Sequence, residues 1–165
     1  MKKFVACALV FVLCFVYGVS LATDAQYSNT KYFVSLLDDE DISYTVIGVD
    51  DGNEQISIKN RDDDINKSYT INVFFKDDEE HVSVRIWNLV DFNKALVQTA
   101  YGLCNTLNAK WKYACFYVDE DDYSITVSYD MIVPNSSASS DLVLEAIVRL
   151  VKIIGDGYET LEPLE

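Results

Sequence analysis

The feature that most limits what this chain can fold into is a change of period between Asp91 and Asp130. Phe92, Leu96, Ala100, Leu103 and Leu107 recur at the three- and four-residue spacing of one helix face. Beyond them the spacing drops to two. Ala114, Phe116 and Val118 alternate with Tyr113, Cys115 and Tyr117. After the polar run Asp119 to Asp122, Tyr123, Ile125, Val127 and Tyr129 alternate with Ser124, Thr126 and Ser128. Side chains on a strand point to opposite faces in turn, so period two on both sides of a short polar turn predicts a β-hairpin. The stretch therefore predicts a helix over 92–108 and a hairpin over 112–130.

The flanking sequence extends this pattern. Tyr32, Phe33, Leu36 and Leu37 give an apolar stripe to a helix over 28–39, with Ser28 or Asn29 as its cap. Tyr44, Val46 and Gly48 begin a strand. Asp50-Asp51-Gly52-Asn53 is a hairpin turn, because Gly accepts the positive φ such turns need, and Ile56 and Ile58 lie on the return strand. Arg61 to Lys67 reads as a charged loop. Tyr69, Ile71, Val73 and Phe75 form one face of the next strand, and Val82, Val84 and Ile86 one face of its partner, with Asp77 to Glu80 as the turn. Met131 to Ser140 reads as a linker. A last helix over 141–154 follows, capped by Ser139 or Ser140 and ended by Gly155. Three hairpins, over 44–59, 69–87 and 112–130, favour antiparallel pairing. The fold class is α+β, a sheet of about six strands with three helices packed against it.

Residues 1–22 carry a different signal. Met1-Lys2-Lys3 is followed by nearly unbroken apolar sequence from Phe4, and small residues occur at Ser20-Leu21-Ala22. This is the pattern of a cleaved secretory signal, and the alternative is a retained membrane anchor. Residues 23–165 are then one domain, localised outside the cytoplasm as a periplasmic or secreted protein or tethered by the anchor. The 165-residue chain has a net charge of −14, and loss of Lys2 and Lys3 would take it to −16. Such a field repels duplex nucleic acid and anionic lipid, so neither is expected as a partner, and a membrane enters only if the N-terminal segment is retained. Cys104 and Cys115 lie in the exported part. They are candidates for a disulfide or, equally, small buried residues.

Catalytic and metal-binding patterns are missing from the sequence. Asp62, Asp64 and Asn66 match the start of a calcium loop. Lys67 stands where that loop needs Gly, and Val73 where it needs a bidentate Glu. The other acidic runs, at 38–41, 50–54, 77–80 and 119–122, sit at expected turns as solvated carboxylates. His81 is the only histidine and begins a strand beside four acids, which suits an exposed residue better than a catalytic base. No catalytic, cofactor-binding or metal-binding residue is assigned, and no cofactor is expected.

The last helix carries more apolar surface than one sheet face requires. Val143, Ile147, Leu150 and Ile154 suffice to face a sheet. Leu144, Val148 and Val151 lie elsewhere around the helix, and Glu145, Arg149, Lys152 and Asp156 form a narrow polar stripe. The additional apolar face serves either packing inside the domain or contact with a partner, including a second copy. Leu144, Val148 and Val151 are therefore the candidate partner-binding residues.

Leu103-Cys104-Asn105-Thr106-Leu107-Asn108, then Trp111-Lys112-Tyr113, then a strand ending Val118-Asp119, resembles the bacterial YbjN-like family of proposed sensory-transduction regulators. The Tyr123–Asp130 strand and a last helix running to Tyr158 fit that resemblance, which covers about Tyr27 to Leu161. It implies a fold similar to type III secretion chaperones, with a curved antiparallel sheet, frequent dimers, protein partners and no catalytic residues. The signal-like segment departs from cytoplasmic members of the family. The expected function is that of an exported, non-catalytic, protein-binding or regulatory module. The alternatives are an extracytoplasmic carboxylate-dependent hydrolase and an acidic cation-binding protein. Calcium calorimetry on the purified chain tests the last of these. No stoichiometric binding at micromolar affinity is expected, because the candidate loop beginning at Asp62 lacks the required Gly and Glu.

Overall fold

The computed structural model describes residues 24–165, so the expected signal segment over 1–22 lies outside the described residues. The order is α1 (Ser28–Asp39), β1 (Thr45–Asp50), β2 (Asn53–Asp62), β3 (Lys67–Lys76), β4 (His81–Asp91), α2 (Val97–Lys110), β5 (Cys115–Asp119), β6 (Ser124–Ile132) and α3 (Ala138–Gly157). The six strands form one sheet in the order β1-β2-β3-β4-β6-β5, and every neighbouring pair is antiparallel. The α+β class and the three expected hairpins are therefore present.

The alternating runs fold as hydropathy demands. Ile56, Ile58, Ile71, Val73, Phe75, Val82, Val84, Ile86, Phe116, Ile125 and Val127 point to one face and are buried. The helices lie over that face. Phe33 of α1 meets Phe75 with ring centroids 5.5 Å apart, and both rings are fully buried. Each contributes about 1.5–3 kcal/mol by leaving water. Ala100, Cys104 and Leu107 of α2 and Val143, Ile147, Leu150 and Ile154 of α3 enter the same core. Near the end of α3, a Cβ on Gly157 would come within 3.0 Å of Leu107, so glycine permits the close approach of the two helices.

Several boundaries differ from expectation, each for a local reason. The 61–67 segment is not a loop. β2 and β3 continue through it, paired from Asn53↔Lys76 to Asp62↔Lys67, and only four residues turn between them. Asp62 Oδ1 accepts from the N–H groups of Asp64 and Ile65, and Asn66 takes a left-handed φ of 53°. Helix α2 begins at Val97, because β4 extends to Asp91 and a 3₁₀ turn over Lys94–Leu96 intervenes. Asn93 caps that turn through Ala95 N–H. Helix α3 starts earlier and ends later than the expected 141–154. Ser139 is buried inside it and donates to Asn29, and Gly155 lies within the helix. The chain then folds back so that Tyr158, Leu161 and Leu164 are buried.

The start of α1 is also held differently. Tyr27 occupies the cap position, and no side chain within the helix caps it. Glu54 of β2, fully buried, accepts from Gln26 N–H at 2.6 Å and Tyr27 N–H at 2.8 Å. Glu79, in the β3–β4 turn, accepts from Ser28 and Asn135, and its carbonyl accepts from the Asn29 side chain. Two carboxylates from distant elements thus meet the positive end of a helix whose own first turn contains no acid. Neither is the fully solvated turn residue expected from the sequence.

Acid stability has a nearby source. Asp78 accepts from the backbone N–H groups of His81 and Glu80 and contacts the His81 ring at 2.6 Å. These bonds, the His81 N–H first, hold its carboxyl at about 2.

Glu54→Ala should lower stability by about 1.5–3 kcal/mol and Glu54→Gln by less, because the amide keeps one acceptor oxygen; urea denaturation measures both. For Asp78 the folded pKa lies below the unfolded one, so the unfolded state binds more protons between about pH 4 and pH 2. Its stabilising contribution is complete above that window and is lost as pH falls through it. Urea midpoints measured across the window should fall less steeply for Asp78→Asn than for wild type.

Candidate functional site

The face of the sheet opposite the helix-packed core carries the polar parity of the strands; among the described residues it is open at Trp87 and Tyr117 and buried at Asn72, Ser124, Thr126 and Ser128. Strand register determines what this outer face displays. Ser57, Asn72, Arg85, Ser128 and Cys115 form one row across β2, β3, β4, β6 and β5. Asn72 Oδ1 accepts from Ser57 Oγ at 2.7 Å and Gln55 Nε2 at 2.8 Å. In the adjoining row Ser83 Oγ donates to Asp130 at 2.6 Å, and Arg85 Nη1 lies 2.7 Å from the same carboxylate. Partial burial pushes the Asp130 pKa up, but the bonds from Arg85 and Ser83 outweigh it, and the carboxyl stays below its ordinary value. Short residues that bond one another give this face fixed polar groups with few free rotamers.

Two aromatic residues stand on that polar floor. Phe74 of β3 and Trp87 of β4 meet edge to face with centroids 5.7 Å apart, and Trp87 is 45% exposed. Tyr117 of β5 is also exposed. The ladder between β4 and β6 shifts register between Ile86 and Val90, where Asn88 takes a φ of 51° and its side chain bonds Asp122. A bulge of this kind increases local twist and changes the aim of neighbouring side chains. Trp87 sits at its beginning.

The residues singled out by sequence fall in several places. Leu144 and Val151 of α3 are half-buried and pack on the core, whereas Val148 is 40% exposed and Leu142, nearer the start of the helix, 45%. The expected polar stripe is solvent-facing and paired, Glu145 with Arg149 and Lys152 with Asp156. Arg149 also lies over the ring of Tyr113, which stacks on Tyr129. Cys104 is buried and Cys115 exposed, and both are free thiols. Burial, then the neighbouring Cys115, pushes the Cys104 thiol up to about 11, which suits a packing residue and not a nucleophile. His81 is exposed and tied to Asp78. Among the described residues no three His, Cys, Asp or Glu side chains are placed to share a metal ion.

Two shallow depressions flank α1. One, of about 390 Å³, lies between the end of α1 and the start of β1, with Asp38, Asp41, Tyr44 and Val46 in its lining. The other, of about 380 Å³, lies between α1 and the start of α3. Burial and a 3.0 Å bond to Asp38 push the Tyr44 hydroxyl up to about 12, so it remains a hydrogen-bond donor.

The outer-face group was not singled out from sequence. Its signal was present, because Phe74 and Trp87 occupy the polar parity of their strands, where Asn72, Ser83 and Arg85 also fall. A large aromatic on the solvent side of an alternating strand departs from the pattern that packing alone produces.

No family model matches the chain, and no curated protein matches it. A solved structure does: YbjN from E. coli, described as a candidate transcription regulator, matches over 78% of this chain and 86% of that one, with a TM-score of 0.53 and 13% sequence identity. The six-stranded antiparallel sheet with its three helices is therefore a YbjN-like fold.

Proposed function

We propose that this chain is an exported, non-catalytic module that binds another protein through the Trp87 region of the outer face of its sheet. The observation that carries this reading is exposed Trp87 packed on half-buried Phe74, beside two bonded polar groups, Gln55-Ser57-Asn72 and Ser83-Arg85-Asp130. Protein interfaces concentrate their binding energy in aromatic residues and Arg held rigidly amid polar groups. The description of YbjN as a regulator supports a role exercised by contact instead of turnover. Direct contact with duplex DNA is disfavoured by the net charge of −14.

The hydrolase reading has less support. The carboxyls of Asp78, Asp130 and Glu165 are held below their ordinary values by the hydrogen bonds they accept, which suits them as acceptors and not as general acids. Affinity capture with the full chain from its native envelope or medium tests the proposal. Trp87→Ala should weaken capture of the partner by about tenfold or more, the effect of losing an aromatic anchor, while leaving the circular dichroism spectrum unchanged. Val148→Glu should capture it as wild type does. The reverse outcome would move the binding surface to the exposed side of α3.

A further inference from the structure

The sheet has two edges, and they are treated differently. At β5 the side chain of Asn108, on α2, donates to Phe116 C=O and accepts from Phe116 N–H, both at 2.8 Å. One amide thus takes the place of a neighbouring strand and closes the edge. At β1 no side chain bonds the strand's backbone among the described contacts. Asp50↔Asn53 closes a two-residue turn, with positive φ at Asp51 and Gly52, and is therefore the hydrogen-bonded pair. Hydrogen-bonded and non-bonded pairs alternate along an antiparallel ladder, so the next pair, Val49↔Glu54, directs the N–H and C=O of Val49 away from β2.

The side chains around this edge are apolar. Ile47 is 55% exposed and Val49 40% exposed. Gly48, with a φ of 113° at the bulge, has no neighbour within 4 Å of where a Cβ would lie. Natural sheets commonly protect an edge with Lys, Pro or a covering segment. Here the bulge is present, but Thr45–Asp50 contains neither Lys nor Pro. Acids bracket the strand instead. Asp38 to Asp41 precede it, with Asp38 and Asp41 lining the depression at its start, and Asp50-Asp51 follow it.

We propose that the β1 edge accepts an extended segment of a protein partner, with alternating apolar residues between basic flanks, as a seventh strand. This rests on the protein-binding reading above and gives the partner's contacting segment a chemistry. The open N–H and C=O of Val49 supply backbone pairing. Ile47 and Val49 meet apolar side chains, and the depression beside Asp38 and Asp41 receives a Lys or Arg. A second copy of the chain is a poor occupant. Antiparallel self-pairing over Thr45–Asp50 would bring Asp50-Asp51 of one copy near Asp38 and Asp41, which lie beside the start of β1 in the other, so that like charges crowd together at both ends.

The test uses the purified full chain and two short synthetic peptides of alternating Thr and Val, one with paired Lys at each end and one with paired Glu. The Lys-flanked peptide should bind and slow hydrogen exchange at Val49. The Glu-flanked peptide should bind at least about tenfold more weakly, the sum of several surface charge pairs. Val49→Pro removes only an outward N–H and should abolish binding without breaking the β1–β2 ladder. Should that variant fail to fold, Ile47→Lys places a charge on the edge and should weaken the Lys-flanked peptide similarly. Equal binding of both peptides, absence of binding, or binding unaffected in the folded variants would overturn the proposal. If the partner captured by wild type is also captured by Ile47→Lys and lost with Trp87→Ala, the edge assignment fails and the sheet-face reading stands. Loss of neither would remove both.

Discussion

Two carboxylates borrowed from the sheet hold the N-terminus of α1, and much of the domain's arrangement depends on them. An isolated helix of twelve residues is marginal in water. This one has no acid in its first turn and no capping side chain of its own. Glu54 reaches it from β2 and Glu79 from the β3–β4 turn, so the helix end is satisfied only when the sheet has formed. Glu79 adopts a left-handed φ of 58° while also bonding Asn135, just ahead of α3. The buried Ser139–Asn29 bond joins the two helix starts directly. Helix packing and sheet closure are therefore coupled through one polar cluster at one end of the domain.

The two sheet edges show a second division of labour. Asn108 leaves the β5 edge without free backbone groups at Phe116, and α2 lies close to that strand. The β1 edge is short and bulged, with apolar side chains in the open. The outer face between these edges is polar and internally bonded, so its aromatic pair is presented with little conformational freedom to lose. Recognition by such a surface needs no cavity, consistent with the shallow depressions beside α1.

Most of the fold was legible because it follows from periodicity. Alternation at Tyr69–Phe75, Val82–Ile86 and Ile125–Val127 specifies which face is buried, and Asp51-Gly52 specifies a turn. What escaped was set by distant partners. Nothing near Ser28 reveals that Glu54 caps the helix, and nothing near Arg61 reveals that its strand continues until Asp62 and Lys67 pair. Helix α2 shows the limit of a stripe: Ala100, Cys104 and Leu107 are buried, whereas Leu96, in the 3₁₀ turn, and Leu103 lie only partly within. The site was less legible than the fold. Phe74 and Trp87 lie far from β6 in sequence, and only the register brings them beside Asp130.

The two tryptophans divide the molecule into regions that can be observed separately. Trp87 stands at the bulge on the outer face of the sheet, nearly half exposed, against the ring of Phe74. Trp111 lies at the end of α2, its indole N–H enclosed near Gly157 and the Lys110 ammonium over its ring. Their emission therefore reports different events. A change confined to the exposed indole would mark occupancy of the proposed site on the sheet face, and a red shift of the enclosed one would mark loss of the helix layer. The chain carries its own pair of optical probes, one for encounter and one for integrity.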